Sequence, residues 1–169
     1  MTGALIILLV TVAVGLLLYV YDLKYRGRAE IGEYMGRIMA RDLGREGFFE
    51  GIDVLVPVPV TRWRKWKRGY NQSFMIARGI SDMTGLSVYD KVVKRTSFTV
   101  SQVGLSSGER RENVKGAFTL VDDKPIAHKH VLLVDDIVTT GSTVIACAQA
   151  LQKAEDVRIS VLSLGFTRS

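Results

Sequence analysis

The chain has 169 residues, 47% of them hydrophobic and 24% charged, which is enough for one domain with a proper core. Its formal net charge of +6 at pH 7 suits a phosphate-rich ligand, nucleic acid or an anionic membrane surface. The lone cysteine, Cys147, excludes an intrachain disulfide and with His128 and His130 falls short of a structural zinc set, so it reads as a small core residue in a reducing cytoplasm.

The first 21 residues stand apart. Ala4 to Tyr21 carries no charge, and a helix of that length spans roughly 27 Å, close to the hydrocarbon thickness of a bilayer. Lys24, Arg26 and Arg28 follow it, so an anchor through residues 4–21 would leave the body of the protein on the inner face of the cell membrane. A cleaved signal peptide is disfavoured, because a basic leading region and a small-residue cleavage site are missing. A buried core segment is the competing reading. The expected organisation is a hydrophobic segment over 1–21 and one domain over 22–169.

Residues 29–43 set Ile31, Met35, Ile38, Met39 and Leu43 near helical spacing, with two glycines weakening the pattern. Ile52 to Val58 is a short β-branched run ending in prolines and predicts a buried strand. A basic loop follows over 61–72, then a helix over 71–83. Residues 88–94 and 117–121 are candidate strands. The polar stretch 96–115 between them reads as a long loop of the kind that carries function. Residues 131–134 predict a strong buried strand, 142–153 a helix and 157–164 a closing strand. Strands alternating with helices predict an α/β fold with a largely parallel sheet.

The stretch VLLVDDIVTTGST (131–143) carries the most chemistry. In a parallel sheet, ligands bind at the carboxyl ends of strands, where Asp135 and Asp136 are expected. The following turn runs into a helix start, where free N–H groups and the helix dipole favour a phosphate. Thr139, Thr140, Ser142 and Thr143 add hydroxyl donors, and Gly141 lets the backbone approach an anion. Two carboxylates beside a bare phosphate are unfavourable; they suit a ligand that also carries sugar hydroxyls or a magnesium ion. The local reading is a ribose 5-phosphate cradle. A P-loop is excluded by the lack of G-x-x-x-x-G-K-[ST], a phosphorelay receiver leaves the Thr/Gly turn unexplained, and a plain N-capped strand–helix junction has no need of two acids.

This stretch resembles the PRPP-binding motif of the type I phosphoribosyltransferases. LKYRGRAEIGEYMGR (23–37), VPVPVTRWRKWKRGYNQS (56–73), the series Arg95, Thr99, Gln102, Leu105, Glu109-Arg110 and Asn113-Val114, and Ala117-Phe118 narrow the resemblance to the ComF family, the competence-associated, amidophosphoribosyltransferase-like proteins. The resemblance covers roughly residues 22–166. It implies a type I phosphoribosyltransferase fold, a central parallel sheet flanked by helices with a small hood. It implies Asp135 and Asp136 on the ribose hydroxyls of PRPP or on their magnesium, and Thr139 to Thr143 on the 5-phosphate. It implies a pyrophosphate loop after the first strand, and a mobile loop over 96–113 bearing Gln102 and Arg110. The implied activity is magnesium-dependent phosphoribosyl transfer linked to DNA uptake, with competence machinery proteins as candidate partners. The four-cysteine zinc module with which ComF proteins often begin has no counterpart here, so no zinc is expected.

The basic stretch TRWRKWKRGYNQ sets Arg62, Arg64, Lys65, Lys67 and Arg68 around Trp63 and Trp66. Its cations suit pyrophosphate. Cations interleaved with aromatics also suit single-stranded DNA; a solvated loop packed on the hood is the third reading. One segment can serve the first two, with Arg68 inward and Arg62 or Lys65 outward. His128 and His130 precede the 131–134 strand, roughly 13 Å of strand away from the acids, and are expected at the surface.

Overall fold

A computed structural model describes residues 29–96 and 116–166. Helix α1 (Ala29–Gly44) is followed by strand β1 (Val54–Pro57), helices α2 (Arg62–Arg68) and α3 (Gln72–Thr84), and short strands β2 (Ser87–Val88), β3 (Val93–Arg95) and β4 (Phe118–Leu120). Strand β5 (His130–Val138), helix α4 (Ser142–Leu151) and strand β6 (Arg158–Phe166) complete the described residues. Four strands form a parallel sheet in the order β2-β1-β5-β6, while β3 and β4 pair antiparallel as a separate ribbon. The α/β class with a parallel central sheet flanked by helices is the expected one. The expected strand over 88–94 is two pieces in two different sheets.

The sheet is buried on both faces because its central strands are continuous apolar runs. Alternation along β5 divides them: Val131 and Leu133 join one apolar cluster with Val144 and Cys147 of α4, while Leu132 and Val134 join another with Ile76 and Ile80 of α3. Thus α3, which follows β1, and α4, which follows β5, cover opposite faces. From β1 the chain next adds β2 on one side; from β5 it adds β6 on the other. The strand order therefore reverses between β1 and β5, and a crevice opens at the carboxyl end of such a junction.

Helix α1 packs chiefly on α3. Its deeply buried residues are Gly32, Gly36 and Ala40, a small-residue stripe at spacing four. The large apolar residues of the sequence pattern, Ile31, Met35, Ile38, Met39 and Leu43, are half-buried beside it. A Cβ on Gly36 would press into the backbone of Ile76 and Gly79, and one on Gly79 into the backbone of Glu33 and Arg37. Gly36, one of the two glycines that weakened the helix pattern, and Gly79 of α3 are what let the two backbones touch. Arg37 donates to Asp82 at 2.7 Å and Arg78 pairs with Glu33 at 3.1 Å along the rim of this seam. The arginines of these pairs are exposed, and the pairs contribute little beside the close packing.

Among the described residues no helix is long and apolar enough to cross a membrane. The 1–21 segment, with its candidate anchor, lies outside the described residues, as do Gln102 and Arg110.

Candidate functional site

At the carboxyl end of the sheet, over the junction of β1 and β5, lies a cavity of about 240 Å³. Every wall comes from a different element. Val58, Pro59 and Val60 follow β1; Arg64 and Arg68 come from α2; Gln72 and Ser73 open α3; Arg95 ends β3; Asp135, Asp136 and Ile137 come from β5; Thr143 comes from α4. The acids lie within the strand, since β5 continues past them and pairs Ile137 with Gly165 and Val138 with Phe166 of β6. The pleat sends Asp135 and Asp136 to opposite sides of the strand, and the cavity sits astride its end so that both line it.

Asp135 is only 7% exposed. Its Oδ1 accepts from the Ser73 hydroxyl at 3.0 Å and from the Asp136 N–H at 2.9 Å. Asp136 Oδ1 accepts from the Ile137 N–H at 2.8 Å. Burial, and then the neighbouring Asp136 carboxylate, push the Asp135 carboxyl up to about 6. The folded protein thus holds this proton more tightly than the unfolded chain, whose Asp titrates near about 3.9. Stability is fully present below that value, is lost as pH rises through 6, and is flat above. Asp135→Asn keeps an acceptor for Ser73 and removes the buried charge. Thermal unfolding in chelator should therefore find this variant more stable than wild type at pH 7.5, by on the order of 2 kcal/mol. The gap should close by about pH 4. Parallel profiles across that range would contradict the assignment.

The basic stretch is a helix, not the expected loop. Thr61 caps α2 by accepting from the Arg64 N–H at 3.3 Å, and Gly69, at φ 82°, ends it with its N–H on the Lys65 carbonyl at 2.8 Å. Winding these residues into two turns sorts the cations: Arg64 and Arg68 line the cavity, and Arg62, Lys65 and Lys67 are not among its walls. Trp63 and Trp66 are 62% and 83% exposed, and the Lys67 ammonium lies 5.1 Å from the Trp63 ring centroid.

Thr139 and Thr140 are exposed at the mouth of the junction, and Gly141 (φ 76°) opens α4 without a side-chain cap. Thr140 and Ser142 share a hydroxyl contact of 3.0 Å, and the Ser142 N–H donates weakly to Thr140 Oγ1 at 3.4 Å. Of the five, Thr143 lines the cavity.

Three polar wall residues had no site role in the sequence reading, although Arg95 stands in the series that carries the resemblance. Ser73 and Gln72 look like ordinary first-turn residues of a helix, although Asn71 does carry the cap signal: its side chain accepts from the Ser73 N–H at 3.1 Å and donates to the Val58 carbonyl at 3.1 Å. Arg95 belongs to the separate ribbon, and only its fold brings it to Asp135. Its guanidinium lies 5.3 Å from the Phe118 ring centroid, and burial and then Arg64 lower its pKa. Cys147 is wholly buried, and burial beside Asp135 pushes its thiol up to about 12, which makes it an inert core residue. His128 is exposed near Glu155 and Asp156. His130 is half-buried at the amino end of β5, its ring nitrogens 2.8 Å from the Gly51 carbonyl and 2.8 Å from the Ser160 hydroxyl. Neither approaches the cavity.

No family model matches the chain. It is 33% identical over 145 residues to competence protein F of Haemophilus influenzae, covering 83% of this chain and 63% of that protein. It is 34% identical over 150 residues to the DNA utilization protein YhgH of Escherichia coli O157:H7, covering 87% of this chain and 65% of that protein. The chain is thus similar to the ComF/YhgH proteins. It spans slightly under two thirds of the length of these relatives. A solved adenine phosphoribosyltransferase superimposes with a TM-score of 0.50 at 16% identity, covering 77% of this chain and 67% of that one. That likeness shows the fold, which is that of the type I phosphoribosyltransferases.

Proposed function

We propose that this chain is a ComF-family protein that binds PRPP, with magnesium, and transfers its ribose 5-phosphate to an acceptor. The observation that supports it best is the charge layout of one cavity: two carboxylates of β5 facing Arg64, Arg68 and Arg95 at the sheet junction. A ribose carrying a 5-phosphate and a 1-diphosphate has hydroxyls for the first set and anionic oxygens for the second.

In this reading Asp135 and Asp136 accept from the ribose hydroxyls and orient the ring. Thr139 to Thr143 and the amino end of α4 hold the 5-phosphate. The C1–oxygen bond breaks with its electron pair leaving on diphosphate, and the acceptor bonds to C1. Arg64, Arg68 and Arg95 neutralise the charge that collects on the leaving group. Among the described residues no group of three or more His, Cys, Asp or Glu gathers. An Asp pair without a third protein ligand fits magnesium, which takes most of its ligands from water and substrate oxygens. When bound, the ion would be held through Asp135 and Asp136 and would supply further neutralisation of the diphosphate. The test is a calorimetric titration of the full chain with PRPP, with and without magnesium. Magnesium-dependent binding is the expected result; no heat from folded protein would sink the reading.

A second reading concerns the outward side of α2. Exposed Trp63 and Trp66 beside Arg62, Lys65 and Lys67 form a stacking and phosphate-contacting surface for single-stranded DNA, in line with the names of the relatives, and the PRPP site then serves to sense nucleotide supply. Charge reversal of Arg62, Lys65 and Lys67 should flatten the salt dependence of DNA binding by up to about three in the log–log slope. Trp66→Ala should cost about 1–3 kcal/mol. Unchanged DNA affinity in both variants would remove this reading while leaving PRPP binding untouched.

A further inference from the structure

Gln72 is 1% exposed, the first residue of α3 and part of the cavity wall. Its side-chain Nε2 is the one buried side-chain polar atom among the described residues that finds no hydrogen-bond partner. Its neighbours are fully engaged. Asn71 is tied to Val58 and to the Ser73 N–H, and the Ser73 hydroxyl is tied to Asp135. The backbone that presents Gln72 is therefore fixed on both sides, while its own amide nitrogen is unspent. An unmet buried donor costs about 1–3 kcal/mol, and a Met of similar length at this place would avoid that cost. Such a group stays in a fold when its partner arrives from outside.

The surroundings state what that partner is. The unspent group is a donor, so its partner is an acceptor. Gln72 sits at the amino end of a 13-residue helix, where partial positive charge gathers. Arg64, Arg68 and Arg95 line the same cavity from two other elements. An anionic oxygen satisfies all of them at once, whereas a neutral base edge would satisfy the amide alone.

We propose that Gln72 is a ligand-binding residue whose Nε2 donates to a phosphoryl oxygen of the diphosphate group held between α2 and β3. The inference rests on the reading of this cavity as the PRPP site and adds to it a neutral contact that tells diphosphate from other anions. The amide nitrogen is enclosed before binding; rotation about the last side-chain torsion, which is broad for an amide, turns it to the cavity.

The test uses the full chain and two variants, Gln72→Met and Gln72→Glu, with magnesium pyrophosphate, PRPP and ribose 5-phosphate as probes. In ligand-free protein Gln72→Met should unfold at the same temperature as wild type or higher. Its affinity for pyrophosphate and PRPP should fall about 10- to 100-fold, as for one hydrogen bond to a charged group, with ribose 5-phosphate affinity unchanged. Gln72→Glu should lose more, because it sets a carboxylate against the diphosphate. A Gln72→Met that melts lower than wild type and binds pyrophosphate normally would show that the amide has a partner within the protein, and the inference would fall alone. Equal weakening for ribose 5-phosphate and pyrophosphate would overturn the assignment to diphosphate. If wild type binds none of the three probes, the PRPP reading falls and this contact with it.

Discussion

The Asp135→Asn, Asp136→Asn double variant should lose PRPP binding by at least about 100-fold while keeping its fold. Each carboxylate that accepts from a ribose hydroxyl or faces a cation contributes about 1.5–3 kcal/mol, more than a neutral amide supplies. Asn matches Asp in shape, so the Ser73 hydroxyl and the Asp136 and Ile137 N–H groups, now within 3.0 Å of carboxylate oxygens, retain acceptors. The apo protein should gain stability near pH 7.5, since the raised Asp135 carboxyl is charged there against the preference of its surroundings. Loss of affinity with gain of stability separates a site from a structural pair. The measurement is the calorimetric titration with PRPP and magnesium beside a thermal scan in chelator. Normal PRPP affinity in the double variant would remove the acids from the site. Lowered stability would mean that they hold the junction together instead.

The second large effect lies far from the cavity. Gly36→Ala and Gly79→Ala should each lower stability by about 3 kcal/mol or more and the melting temperature by roughly 10 °C. The added methyl at either place would meet backbone, of Ile76 and Gly79 in the first case and of Glu33 and Arg37 in the second. Backbone in a helix cannot step aside as a flexible side chain can, so the helices must separate along their length. That separation opens the cluster of Ala40, Leu55, Ile76, Ile80 and Leu132. Ordinary helix propensity would predict the reverse, since Ala favours a helix over Gly by about 1 kcal/mol. Gly44→Ala is the control: at the end of the same helix its Cβ would meet only Phe49 Cδ2 at 4.0 Å. Thermal melts of the three variants decide it. Neutral or stabilising effects at Gly36 and Gly79 would mean that α1 and α3 do not touch.

The two effects also separate what each glycine signal means. Gly141 and Gly69 sit at positive φ, 76° and 82°, where the backbone turn itself favours glycine. Gly36 and Gly79 are helical, and their reason is space. From the sequence Gly36 reads only as a break in a helical pattern, and Gly141 only as a place where the backbone can approach an anion.

What the sequence alone determined was the class of fold and one buried strand running into a helix start. Four apolar residues before Asp135-Asp136 and a Thr/Gly turn after them dictate a buried strand and a helix start, because each step depends on residues close in the chain; that the strand runs on past the acids to Val138 is set by pairing with β6. The buried run over 54–57 is local in the same way. What only the tertiary structure decided was which distant groups meet. The basic stretch had no apolar periodicity to announce a helix, and winding it is what turned Arg64 and Arg68 to the cavity while leaving Arg62, Lys65 and Lys67 off its walls. Arg95 is separated from Asp135 by 40 residues, and no spacing rule joins a ribbon to a sheet it does not pair with. The unspent amide of Gln72 is a property of its surroundings and not of its residue type. Periodicity records which face of an element is buried; it holds no record of which element buries it.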